Sequence, residues 1–247
     1  MSRINQSSNP IFRSLEKNDA YVGERTASYT GITVKMAIMF GLMLLGGGLA
    51  GYLLKNGEIE RLIGILSVAG IAAFISVMIS IFSVRLAAPF SMLYAFAQGI
   101  TVGTLTLIIE LSIPGTATIA MIATAVIFGV MLLLYSIKAI RVTPRFRIMM
   151  FGVLMSILLF SILSIFIPPL NALFYGGNST LSIVLSLGLI IYGAFMLTLD
   201  FERAKTMVEY GADKRTEWQI SVGLLVTIIW IYVEILRLLV IIASRRD

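Results

Sequence analysis

Few side chains in this sequence are placed to do chemistry, and most of them are acidic. Glu234 stands in Ile228-Ile229-Trp230-Ile231-Tyr232-Val233-Glu234-Ile235-Leu236, well inside an apolar run. A charge within a bilayer is expensive, so a functional role is the default reading. The carboxyl suits a proton site, a cation ligand or half of a carboxylate pair. The competing structural reading is a local pair with Arg237, one turn on. Asp200 closes the run Ala194-Phe195-Met196-Leu197-Thr198-Leu199, with Glu202 and Arg203 close behind. It is either a second membrane carboxylate or a solvated helix end. Glu110 closes an earlier run and reads as an interfacial anchor or as the mouth of a cation path. Arg85 is either a gating partner for Asp200 or a positive residue at the membrane edge. Oxygen ligands of this kind suit calcium better than a soft transition metal.

The chain has no cysteine and no histidine. That excludes disulfides, Cys/His zinc sites, haem ligation through those residues and Ser-His-Asp triads. Sensing of pH near neutrality then falls to a carboxylate or an amine. The motif pairs of an intramembrane protease are missing too. The chain is therefore read as a non-enzyme without a resident cofactor.

The elements that must carry these residues are membrane spans. Hydrophobic residues make up 58% of the 247 residues and charged ones 13%, against about 25% charged in soluble domains. Mean hydropathy is +0.97. A spanning helix needs about 20 mostly apolar residues. Such runs are predicted over 31–54, 62–84, 87–110, 114–137, 148–167, 181–199 and 219–243. The second and third are so closely joined that a re-entrant third run would reduce the count to six. Residues 1–30 are polar and predict a flexible cytoplasmic arm without a signal peptide; residues 31–247 form the membrane domain. The stretch 171–179 reads as a loop, and Asn178-Ser179-Thr180 fits a glycosylation pattern.

Basic residues set orientation. With seven spans, Arg3, Arg13, Lys17, Arg25, Arg85, Lys138, Arg141, Arg145, Arg147, Arg203, Lys205, Lys214 and Arg215 fall on one side. Only Lys55, Arg61, Arg245 and Arg246 fall on the other. This puts the amino end in the cytoplasm and Asp247 outside. Lys35, near the start of the first span, is expected to snorkel to the cytoplasmic interface. The net charge of +6 is thus a membrane pattern and not a nucleic-acid footprint. Gly46-Gly47-Gly48 in span one and Gly99-x-x-x-Gly103 beside Gln98 in span three predict close helix packing. Tyr192, Trp230 and Tyr232 read as packing or interface residues.

Several blocks resemble the bacterial branch of the Bax inhibitor family. They are Leu199-Asp200-Phe201, Val208-Glu209-Tyr210-Gly211-Ala212, Glu217-Trp218, Gly223-Leu224-Leu225-Val226-Thr227 and Trp230 through Leu239. Tyr94 through Gly103, ending at Glu110, resembles that family's third span, and Ser8-Asn9-Pro10 fits its bacterial members. The resemblance implies a seven-helix bundle with a central last helix. It implies a pH-sensitive calcium leak in the cell membrane, governed by two acids on the last two helices, here Asp200 and Glu234. Calcium and protons would pass or bind there, and a membrane-bound AAA protease is an implied partner besides lipid; control of such a complex without transport is the alternative function. Glu234 stands where the family commonly has an aspartate, and Gln98 where relatives often have an acid. Spacing adds a condition. In antiparallel helices Asp200 and Glu234 face each other only if the connection is centred near Glu217. If span six runs straight on to Gly211, they miss by ~15 Å at ~1.5 Å per residue.

Overall fold

The computed structural model describes residues 26–167 and 180–245. Within them lie seven helices long and apolar enough to cross a membrane. They are α1 (Tyr29–Lys55), α2 (Ile59–Phe82), α3 (Ala87–Ser112), α4 (Thr116–Ser136), α5 (Pro144–Phe166), α6 (Thr180–Glu209) and α7 (Thr216–Ala243). The third run is a full helix of 26 residues, so the six-span alternative falls. The loop 171–179, the asparagine of the glycosylation triplet and residues 1–25 of the arm lie outside the described residues.

Local chemistry sets most of the ends. The Ser28 side chain caps α1 by accepting from the Gly31 amide. Thr143 caps α5 in the same way, and Pro144 follows as its first residue, where its fixed φ suits the helix and its missing N–H costs nothing. Hence α5 starts earlier than residue 148, with Arg145 and Arg147 inside its first turn. Helix α6 differs most from expectation. It continues past Leu199 to Glu209 because its charged extension still buries Phe201 and Ala204. It then stops at Gly211, whose φ is +63°. There the Ala212 amide donates to Met207 O and the Gly211 amide to Val208 O. This is the Schellman closure, which favours glycine in the left-handed position.

The last helix is central, as expected: α7 touches α1, α2, α3, α4 and α6. It supplies the fully buried Val222, Leu225, Ile231 and Leu236. The glycine patch works as packing. A Cβ on Gly99 would overlap the backbone of Met43, and one on Gly103 the Cα of Gly47. Helices α1 and α3 therefore meet backbone to backbone. Helix α5 is peripheral and is held against α6 by the Tyr192 hydroxyl, which donates to Met150 O at 2.9 Å.

Candidate functional site

Helices α6 and α7 run antiparallel from the short connection 210–215. Gly193 faces Ile231 closely enough that a Cβ would overlap its side chain. The rings of Tyr192 and Trp230 lie 5.6 Å apart. Nearer the connection, Thr227 Oγ1 donates to Asp200 Oδ2 at 2.6 Å. Asp200 is half-buried. It lies about 13 Å inside the end of α6 at ~1.5 Å per residue, too deep to be a solvated helix end.

Asp200 and Glu234 are not brought into contact. The residue opposite Asp200 is Thr227, two helical turns before Glu234, or about 10 Å along α7. The physical reason is the straight run of α6 to Glu209, which centres the connection near residue 213 and shifts the facing position back along α7. Glu234 instead faces Arg237 Nη1 at 3.6 Å, with the two side chains 12% and 21% exposed. Its Oε2 is buried and has no hydrogen-bond donor among the described residues. That oxygen is the one facing Arg237, so the guanidinium supplies its countercharge without a close hydrogen bond.

Arg85 is exposed in the α2–α3 connection, and no ion pair between it and Asp200 exists among the described residues. Glu110 works as a cap. Its two oxygens accept from the Gly115 amide at 2.7 Å and the Ala117 amide at 2.8 Å. A carboxylate there satisfies orphan amides at the start of α4 and meets the positive end of its dipole.

The most elaborate polar cluster was not anticipated. Glu217, in the first turn of α7, is fully buried. Its Oε1 accepts from Ser28 N at 2.8 Å and Ser28 Oγ at 3.1 Å. Its Oε2 accepts from Lys35 Nζ, forming an ion pair. Lys35 is 13% exposed and stands 5.5 Å from the centre of the Trp218 ring, so its ammonium turns inward to an anion and does not snorkel outward. Around it, Ser221 Oγ donates to Ile32 O, and Gln219 Nε2 donates to Ser80 O and Ile81 O. The Ala27 amide donates to Ala212 O, beside an antiparallel bridge between Thr26 and Asp213. Together these contacts sew the entry of α1 to the entry of α7. The only local clue was the Glu217-Trp218 dipeptide.

Seven membrane-length helices around a central last one, with acids set into the last two, define an all-α multi-pass membrane protein. The family model described as Bax inhibitor 1 like matches residues 9–244, and the chain belongs to that family. No match was found among curated proteins or solved structures.

Proposed function

We propose that the protein is a pH-sensitive calcium leak of the cell membrane, with its amino end in the cytoplasm. The observation that carries this reading is Asp200, a half-buried carboxylate on the central seam, bonded to the Thr227 hydroxyl. Ionised, Asp200 offers a cation an oxygen ligand deep in the membrane; protonated, it loses that attraction. Calcium flux then rises with pH as Asp200 ionises. Glu234 acts as a second and separate station on the same seam, with Arg237 setting its field. Among the described residues no three acidic side chains converge on one point. Such a sparse ligand set suits brief coordination during passage, which conduction needs, more than a stored ion.

The test is calcium flux into proteoliposomes across a pH series. Wild type should conduct more at higher pH, and Asp200→Asn should flatten the profile. Wild-type liposomes silent at every pH would overturn the reading. They would favour a non-transporting regulator of a membrane-bound AAA protease or another membrane complex.

A further inference from the structure

Helices α1 and α4 both pack on α7, but their backbones do not pack against each other. Between them lies a cavity of about 570 Å³, floored by α3 and α7. It is large for a gap between packed helices, whose interiors hold few voids bigger than a water molecule. Its size falls within the ~300–1,000 Å³ of small-ligand sites. Small residues make it: Gly47 and Gly48 on α1, Gly103 on α3 and Ala125 on α4. At the rim stand Leu44, 76% exposed, and Met121, 56% exposed. In a seven-span bundle such apolar surface faces lipid, so the cavity opens sideways into the hydrocarbon.

We infer that this cleft is a binding site for a single acyl chain of a bilayer lipid. Two observations choose that occupant. First, the hydroxyls that line the cleft are already bonded to the protein. Thr106 Oγ1 and the Tyr232 hydroxyl lie 2.9 Å apart, Thr106 also donates to Val102 O, and Thr124 donates to Ala120 O. The site thus offers few free polar partners, and an apolar cavity without them stays dry. A polar headgroup would be equally unrewarded. Second, the cleft opens sideways past the exposed Leu44 and Met121, where lipid chains and not water surround the bundle. The floor includes Ile228, Ile229 and Tyr232 of α7, so a bound chain packs directly on the helix that carries Thr227 and Glu234.

The experiment reconstitutes the full chain with a phospholipid carrying a photoreactive group on its acyl chain and maps the labelled peptides. Labelling of the peptides around Met43 and Met121 should exceed that of the lipid-facing α5 residues Phe151 and Leu159 by about tenfold, equivalent to ~1.4 kcal/mol of preference. A filling variant, Gly48→Leu with Ala125→Phe, should abolish that excess. A Cβ on Gly48 meets nothing within 4 Å, and Ala125 is exposed, so both larger side chains have open space at their base. Equal labelling of α5 and the cleft in wild type would reduce the lipid to an ordinary annular shell and overturn the inference, whether or not the variant folds. Excess labelling that survives in a folded filled variant would overturn it as well.

Discussion

Replacing Glu217 by glutamine tests the clasp between α1 and α7. The change keeps the oxygen that accepts from Ser28 but turns an amide toward Lys35, leaving a mostly buried ammonium without its anion. Breaking one side of a buried ion pair costs about 3–5 kcal/mol. Lys35→Met should cost a similar amount, because it strands the fully buried carboxylate. The double variant removes both charges together. It should be more stable than the sum of the two losses by about 2 kcal/mol, within the range of coupling between contacting residues. The assay is thermal unfolding in detergent, followed by circular dichroism because Trp218 adjoins the site. At ~2–4 °C per kcal/mol, each single variant should melt roughly 10 °C lower. Single losses below ~1 kcal/mol, or a double variant equal to the sum, would refute the argument that this pair holds the two helices.

Four further outcomes follow from the geometry. Asp200→Asn and Thr227→Val should shift the pH midpoint of calcium flux non-additively, since the two groups share one hydrogen bond. Asp200→Asn and Glu234→Gln, about 10 Å apart along α7, should instead add; identical shifts in the two singles and the double would restore a coupled carboxylate pair. Glu110→Gln should lower the melting temperature slightly through loss of a charged cap and leave the pH profile of flux intact, so a changed ion response would give Glu110 a role at a pore mouth. The chain has no cysteine, so single cysteines report topology cleanly: one near Arg141 should label from the cytoplasm and one near Asp247 from the other side, and labelling of both from the same side would remove the proposed orientation.

The helices were legible because a helix in lipid must be apolar over a bilayer's thickness, and that demand is written locally. Span one, expected over 31–54, is Tyr29–Lys55, and span three, expected over 87–110, is Ala87–Ser112. Gly99 and Gly103 were legible as packing residues for the same reason, since a close backbone approach needs small residues at helical spacing. The end of α6 was not. Hydrophobicity fails at Asp200, but helicity does not, because Phe201 and Ala204 still face the core. The pairing of Asp200 with Glu234 was implied by the resemblance; the spacing had made it conditional on a shorter α6, and the straight run to Glu209 sets Thr227 opposite Asp200. Glu217 was hidden for another reason. Its partners lie 189 and 182 residues away, and no local pattern marks an ion pair assembled by tertiary packing. Glu110 was half legible: its place at a helix end was clear, but its reach across Gly115 to the next helix was not.

The clasp at Ser28, Lys35 and Glu217 also sets an order on how the protein is made. During synthesis α1 enters the membrane with Lys35 in place, while the carboxylate that neutralises it is encoded 182 residues later. Until α7 arrives, the lysine must stay at the interface or carry an unpaired charge into lipid, which is costly. The first helix therefore cannot settle until the last has been delivered. A chain cut before Thr216 lacks the central helix and also leaves its opening span charged and unanchored, so the damage reaches the opposite end of the molecule from the break.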